Sequence, residues 1–210
     1  MRRALRAVDS GEFDSEVTPV TVKGRKGETV VSRDETPGTC DISRIASLKP
    51  AFGKDGTVTA ASSSSIADGA AALIVASADA AAARGLKPLA RILAQASHAQ
   101  EPEWFTTAPV GAIRKVLDRL QWRPHDADLY EINEAFAAVT MAAMRDLDID
   151  HARVNVNGGA CALGHPVGAT GARILTTLLH ALRRRGGRRG IASLCIGGGE
   201  AVAVAVELIG

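Results

Sequence analysis

The sequence has few cysteines, few aromatic residues and no long uninterrupted apolar run. Its three cysteines (Cys40, Cys161 and Cys195) are an odd and widely spaced set, which argues against a disulfide framework and favours a reducing compartment. No segment contains the roughly 18 consecutive apolar residues that a membrane helix needs. The basic first residues are not followed by the apolar stretch of a secretory signal. We therefore expect a cytoplasmic protein with no membrane partner.

Charge of neither sign is in large excess, since the formal net charge of the 210 residues is +2. Nucleic acid is therefore not expected as a partner. The densest basic run, Arg183–Arg185 with Arg188 and Arg189, follows a helical apolar pattern. Cations there are typical of a helix C-terminus, with phosphate binding as the alternative. Because aromatic residues make up only 3%, the core must be built mainly from Ala, Val, Ile and Leu.

The first third of the chain has short and mostly polar patterns. The serine run Ser62–Ser65 has the composition of a flexible linker, but a buried-looking run follows it at once, which favours an ordered segment. The elements predicted here are a short helix at Ala4–Val8, strands at Val17–Val22 and Thr29–Val31, and a buried strand or helix start at Ala70–Ser77.

Strands and helices alternate in the rest of the chain, which predicts a layered α/β domain. The predicted helices are Ala78–Arg84, Val110–Leu120, Glu134–Leu147 and a stretch with Leu175, Leu178, Leu179 and Leu182 on one face. The predicted strands are Leu89–Ala96, Ala127–Ile132, Arg153–Val156, Ile191–Ile196 and Ala201–Leu208. A triple glycine joins the last two strands into a hairpin.

Three polar loops each follow a predicted strand and carry the candidate chemistry. Asn133 begins an Asn-Glu-Ala-Phe motif at a strand-to-helix junction, where helix capping is the alternative role. His165 lies between a glycine and a proline in the glycine-rich segment 155–173, where small neighbours leave the ring uncovered. Cys195 precedes three glycines whose open N–H groups favour a reactive thiol, although inert buried cysteines are more common. A thiol and an imidazole in such loops indicate acyl chemistry.

Taken together, these motifs resemble the thiolase family over nearly the whole chain, and most closely its acetyl-CoA acetyltransferases. The resemblance is carried by GEFDSEVTPVTVKGRKGE (11–28), LKPAFGKDGTVTA (48–60), DGAAALIV (68–75), NEAF, GGACALGHPVGATGAR and ASLCIGGGEA (192–201). It implies a thiolase-like α/β fold, with the complete C-terminal half of a five-layer α-β-α-β-α architecture plus the end of the loop domain. The implied domains are 1–66, the remainder of the CoA-binding loop domain; 67–86, a returning segment of the N-terminal thiolase domain; and 87–210, the C-terminal thiolase domain.

The resemblance also implies an acyltransferase that joins two acetyl-CoA molecules into acetoacetyl-CoA, or splits 3-ketoacyl-CoA by thiolysis. Cys195 matches the cysteine that takes and returns the substrate α-proton. His165 matches the histidine that stabilises the thioester oxygen and helps to activate the nucleophile. Asn133 matches the residue that holds a water in the same oxyanion site, and the Gly197 backbone N–H matches a donor of the second oxyanion hole.

Coenzyme A thioesters are the implied substrates, and no metal or separate cofactor is expected. Ser64 matches the serine that hydrogen-bonds the pantetheine arm, while Phe52, Ile66 and Phe136 match apolar positions along the pantetheine tunnel. Contacts to the adenine stay open, because Pro37 falls where some relatives have a basic residue.

Family members are roughly twice as long, and the resemblance puts the nucleophilic cysteine, a further active-site histidine and a tetramer-forming loop in the half that these 210 residues lack. Neither Cys40 nor Cys161 is expected to replace the nucleophile. The chain alone is therefore expected to be inactive and to need a homo-oligomer or a complementary N-terminal half. The alternative is an inactive fragment for CoA binding or assembly. A ketoacyl synthase fits poorly, because Cys195 stands where those enzymes use a second histidine.

Overall fold

The computed structural model describes residues 1–209, whose first 89 contain little regular structure. The elements of this part are α1 (Arg2–Asp9), β1 (Val20–Gly24), β2 (Gly27–Val31) and α2 (Ala78–Ala83), with short 3-10 turns between them. Strands β1 and β2 form an exposed antiparallel hairpin. Helix α1 is held against the later part of the chain, since Arg3 Nη1 donates to the Val154 carbonyl (2.6 Å) and Arg6 Nη2 to that of Val156 (3.0 Å).

A four-stranded mixed sheet forms the centre of the later part. Its strands are β3 (Ala90–Ala99), β4 (Leu129–Ile132), β5 (Arg189–Cys195) and β6 (Glu200–Leu208), in the spatial order β3-β6-β5-β4. Strands β4 and β5 are parallel, whereas β6 pairs antiparallel with both β5 and β3. The predicted β5–β6 hairpin is thereby confirmed.

Helices cover both faces of this sheet. They are α3 (Ala108–Leu120), α4 (Ala137–Leu147) and α6 (Thr170–Arg185), whereas the short α5 (Ala160–Leu163) contacts 3-10 turns of the N-terminal part. Neighbouring strand residues enter different cores because they point to opposite faces: Ile191 packs with α3 and α4, whereas Ala192 packs with α6. The result is an α/β/α arrangement with two apolar cores built mostly from aliphatic side chains.

Residues 70–77 do not form the predicted buried strand or helix. The structure assigns them no regular element, and apart from the half-buried Ala71 all of them are exposed, with Ile74 95% accessible. An apolar run becomes buried only where another apolar surface meets it. Among residues 1–209 this run meets no such surface. It therefore stays exposed although its composition is typical of a buried segment.

Other predicted elements exist but begin or end elsewhere. The predicted strand Arg153–Val156 is replaced by a 3-10 turn and a single bridge between Val154 and Tyr130. Helix α4 begins at Ala137 instead of Glu134. The basic run does lie at a helix end, with Arg183–Arg185 in the last turn of α6. No helix within residues 1–209 combines the length and apolar character needed to cross a membrane.

Two isoleucines provide a matched test of the cores. Ile174 on α6 is 1% accessible, so we expect Ile174→Ala to lower the free energy of unfolding by about 2–5 kcal/mol. The same truncation at exposed Ile74 should change it by less than about 0.5 kcal/mol. Urea unfolding of the two variants measures both effects. Equal losses would show that residues 70–77 are packed in solution.

Candidate active site

Asn133 and Cys195 lie at the same edge of the sheet. Asn133 directly follows β4, and Cys195 is the last residue of β5. Because β4 and β5 are parallel, their carboxyl ends meet at one edge, and the backbone N–H of Asn133 donates to the Ser193 carbonyl (2.9 Å). The chain therefore presents an amide and a thiol from adjacent strands.

The Asn133 side chain is not a helix cap, which excludes the capping alternative. Helix α4 starts four residues later, with Phe136 at its N-cap position. The Asn133 side chain is nevertheless buried, at 1% accessibility, and neither amide atom has a hydrogen-bond partner within the described residues. Buried amide groups usually have partners because leaving them unpaired is costly. Such an amide is available to a polar atom of a ligand.

The serine run is an ordered part of the site, so its interpretation as a flexible linker is wrong. Both the backbone N–H and the hydroxyl of Ser64 donate to the Ala135 carbonyl, at 3.1 and 3.2 Å. Ser63 pairs with Phe136 in an isolated antiparallel bridge. These contacts fix the serine segment, residues 62–66, against the loop that follows Asn133.

The same serine segment holds the histidine loop. The backbone N–H of His165 donates to the Ser65 carbonyl (2.8 Å), and Ile66 pairs with His165 in a parallel bridge. Gly164 has a φ of +86°, and a side chain there would collide with Ala67. Glycine is therefore required for the close approach of the two segments. The His165 and Asn133 loops thus flank one shared strip of backbone.

The His165 ring is half-buried and lies against the start of α6. Its Nδ1 is 2.6 Å from the Thr170 hydroxyl oxygen. Burial, and next the positive charge of Arg173, lower the pKa of the ring below its usual value. The imidazole is accordingly neutral at neutral pH.

The predicted coenzyme residues lie together beside this strip. The rings of Phe52 and Phe136 meet edge to face, with centroids 6.0 Å apart. Phe52 is 77% accessible, and Ile66, the last residue of the serine segment, is 90% accessible, so both present apolar surface. Exposed apolar patches of this kind are typical of binding surfaces.

Cys195 is a half-buried thiol at the mouth of the β5–β6 turn. Burial raises its pKa above the usual value for a cysteine. In the turn, the Ile196 N–H donates to the Glu200 carbonyl (2.7 Å), and the Gly199 N–H donates to the Ile196 carbonyl (3.2 Å). Neither bond uses the backbone N–H of the exposed Gly197. No hydrogen bond within residues 1–209 joins Cys195 to His165. The two are connected through the Asn133 loop and the serine segment.

The other two cysteines are placed differently. Cys161 donates its backbone N–H to Glu134 Oε2 (3.1 Å), and its sulfur lies 3.8 Å from the Glu134 carbonyl oxygen. Burial and this neighbouring carboxylate raise the pKa of the Cys161 thiol to about 12. Cys161 is thus an unreactive, partly buried thiol. Cys40 lies at the end of a 3-10 turn in the polar N-terminal part.

Glu134 is a structural residue that sequence reasoning did not single out. Its carboxylate accepts hydrogen bonds from Asn155 Nδ2 (3.2 Å) and from the Cys161 N–H (3.1 Å). Asn155 in turn exchanges two side-chain hydrogen bonds with the backbone of Ile132, both 2.8 Å. Glu134 thereby ties the glycine-rich segment to the end of β4. Its position directly after Asn133 was the available signal.

Three ionisable residues near the site, the buried Glu131 and the half-buried Glu16 and Arg173, are incompletely paired. Glu16, Glu131 and Arg173 each have one side-chain atom without a hydrogen-bond partner within residues 1–209. Burial raises the pKa of Glu131 to about 8 and that of Glu16 to about 7, against the opposing charge of Arg173. Both carboxyls therefore retain protons in the folded state that the unfolded chain releases.

Comparison with known proteins identifies the family of this chain. The family model for the thiolase C-terminal domain matches residues 86–208, and that for the thiolase N-terminal domain matches residues 1–79. The chain belongs to the thiolase family. It is 49% identical over 206 residues to the acetyl-CoA acetyltransferase of Paracoccus denitrificans. The aligned residues make up 98% of this chain and 53% of that enzyme.

Two further thiolases show the same partial coverage. The β-ketoadipyl-CoA thiolase of Pseudomonas knackmussii is 49% identical over 210 residues, covering 98% of this chain and 52% of that protein. The crystal structure of the Bacillus anthracis acetyl-CoA acetyltransferase superimposes with a TM-score of 0.95 at 48% identity, over 99% of this chain and 53% of that one. The expected thiolase fold is confirmed, and the chain spans about half the length of the thiolases it matches.

The buried carboxyls make stability depend on pH. Because the folded state retains protons that the unfolded chain loses, the free energy of unfolding should fall as pH rises from about 5 to about 8, by up to ~1.4 kcal/mol per pH unit for each extra proton. Glu131→Gln should flatten this slope and be more stable than wild type at high pH. Urea unfolding at several pH values between about 5 and about 8 measures this slope. The exposed Glu103→Gln variant is the control, and a wild-type slope in Glu131→Gln would contradict the assignment.

The charge of Arg173 gives a second test. Arg173→Met should raise the pKa of His165 because it removes a nearby positive charge. Arg183→Met, on the same helix, should instead raise the pKa of His180. NMR titration of the histidine rings in the two variants measures both shifts. If Arg183→Met moved the pKa of His165 as much as Arg173→Met did, the local effect would be disproved.

Proposed function

We propose that this chain supplies half of a thiolase active site, for reversible Claisen condensation of two acetyl-CoA molecules or thiolysis of 3-ketoacyl-CoA. The observation that carries the proposal is the packing of the Asn133 and His165 loops on one serine segment, with Cys195 on the strand beside Asn133. The acetyl-CoA acetyltransferase relatives favour acetyl-CoA as the substrate. Because a β-ketoadipyl-CoA thiolase is equally similar to this chain, a substrate with a longer acyl group is the alternative.

The first proposed step removes a proton from the α-carbon of acetyl-CoA. The Cys195 thiolate accepts this proton as a general base. The electron pair moves onto the thioester oxygen, where the His165 ring N–H and a water held by Asn133 stabilise the enolate. The buried, unpaired amide of Asn133 supports that role.

The second proposed step forms the carbon–carbon bond. The enolate carbon attacks an acetyl group carried on a nucleophilic cysteine, and the tetrahedral oxyanion accepts a hydrogen bond from the exposed Gly197 amide. Collapse breaks the carbon–sulfur bond and releases acetoacetyl-CoA. The proton on Cys195 then neutralises the departing cysteine thiolate. The nucleophilic cysteine receives its acetyl group from the first acetyl-CoA, whose CoA leaves as a thiolate and takes up the proton of the cysteine thiol by way of His165. Two acetyl-CoA molecules are thereby converted into acetoacetyl-CoA and free CoA, without a separate cofactor.

The nucleophilic cysteine in this proposal lies outside residues 1–210. Cys161 does not suit the role, because its raised pKa keeps it protonated. The domain assignment proposed above, with 67–86 as a returning segment of the N-terminal thiolase domain, is supported by the exposed apolar run at 70–77. A complementary N-terminal thiolase half, or a further copy of this chain in a homo-oligomer, would cover that run.

Coenzyme A is proposed to bind along the exposed apolar strip. The pantetheine arm would contact Phe52, Ile66 and Phe136. Ser64 would accept a hydrogen bond from the arm, because its hydroxyl donates to the Ala135 carbonyl and its oxygen can still accept. A cytoplasmic location is supported by three free cysteines.

Reconstitution tests the function. The purified chain is assayed for acetoacetyl-CoA cleavage alone and with the N-terminal half of a related thiolase. We expect turnover only in the mixture. Cys195→Ala should reduce it by about 10²–10⁴-fold, because a positioned acid–base group is lost. Cys40→Ala is the matched control and should retain full activity.

The other outcomes of this assay are equally informative. Turnover by the chain alone would contradict a nucleophile outside residues 1–210. Inactivity in both conditions, with CoA binding retained in calorimetry, would favour the inactive fragment. Full activity in Cys195→Ala would exclude Cys195 as the acid–base group.

A further inference from the structure

Thr170 has a position relative to His165 that no role assigned above uses. The Thr170 side chain is fully buried at the first turn of α6. Its hydroxyl oxygen lies 2.6 Å from His165 Nδ1 and 2.9 Å from the carbonyl oxygen of Pro166. One hydroxyl group thus lies within hydrogen-bond distance of both the ring and the loop backbone.

The two distances together restrict where the proton on the ring can be. A hydroxyl has one hydrogen to donate, and the Pro166 carbonyl can only accept. When the hydroxyl donates to Pro166, its oxygen is an acceptor toward the ring, so Nδ1 must carry the hydrogen. The opposite arrangement, with the hydroxyl donating to a bare Nδ1, gives up the bond to Pro166.

We propose that Thr170 is a positioning residue that fixes His165 in the tautomer with the proton on Nδ1 and the lone pair on Nε2. The arrangement has one more hydrogen bond than its alternative, which corresponds to a preference of about 2- to 12-fold. Because Thr170 is fully buried, water does not compete for the hydroxyl.

This tautomer has a consequence for the proposed function, on which the catalytic part of the inference rests. A neutral ring with a lone pair on Nε2 accepts a proton there, as activation of a cysteine thiol requires. Once protonated, the same Nε2–H donates to the thioester oxygen. The low pKa of His165 keeps the ring in the neutral state from which this sequence starts. Thr170 therefore acts on the reaction only through the histidine.

NMR of the chain labelled with 15N-histidine tests the tautomer without any catalytic assay. Two-bond proton–nitrogen correlations show which ring nitrogen carries the proton, and His165→Gln identifies the signals. We expect protonated Nδ1 in wild type and in Thr170→Ser. In Thr170→Val the population should move at least about twofold toward protonated Nε2.

A matched threonine on the same helix provides the control. Thr176 donates its hydroxyl to the Ala172 carbonyl (2.9 Å), so Thr176→Val should leave the His165 tautomer unchanged. Protonated Nε2 in wild type, or an unchanged tautomer in a folded Thr170→Val, would overturn the inference. If Thr170→Val does not fold, Thr170→Ala replaces it with the same expectations, and the wild-type spectrum still decides. A chain with the expected tautomer but no reconstituted turnover would refute the proposed function alone.

Discussion

The site depends on the hydrogen bonds that a short serine segment makes with two loops. Ser64 donates twice to the Ala135 carbonyl, and Ser65 accepts from the His165 backbone N–H. Each bond is worth only about 1 kcal/mol net, but together they fix the register of the segment. That register aligns Ile66 with His165 and Ser63 with Phe136, whose ring meets that of Phe52. Without these bonds, the candidate coenzyme surface and the candidate catalytic loops would not be neighbours.

The same region contains polar groups that do not contribute to stability. Asn133 is buried with an unpaired amide, and two residues earlier Glu131 is buried with an unpaired carboxyl oxygen. Leaving such groups unsatisfied costs about 1–3 kcal/mol each. The apolar layers of α3, α4 and α6 offset this cost, since the core side chains themselves are almost all aliphatic. A fold that keeps costly groups at one sheet edge is typical of a functional site.

The sequence predicted the sheet and its covering helices well because each has its own periodicity and its partners lie on this chain. Helix α6 has its leucines on one face, and β5 and β6 are apolar runs joined by glycines. Loop contacts were less predictable. Glu134 bonds to Cys161, 27 residues away, and no periodic pattern signals such a contact. The serine run was ambiguous for the same reason, since composition does not show that Ser64 donates to the distant Ala135 carbonyl.

Two groups of exposed apolar residues suit different ligands. Phe52 and Ile66 contact residues of the site, through an aromatic pair with Phe136 and a backbone bridge to His165. A small molecule bound at the site would reach them. Ile74 and Val75 lie in an exposed run with no regular structure. A run of several consecutive apolar residues is typical of a strand that pairs within a sheet, buried on both faces. The first group therefore suits the proposed coenzyme arm, whereas the second suits the proposed N-terminal thiolase half.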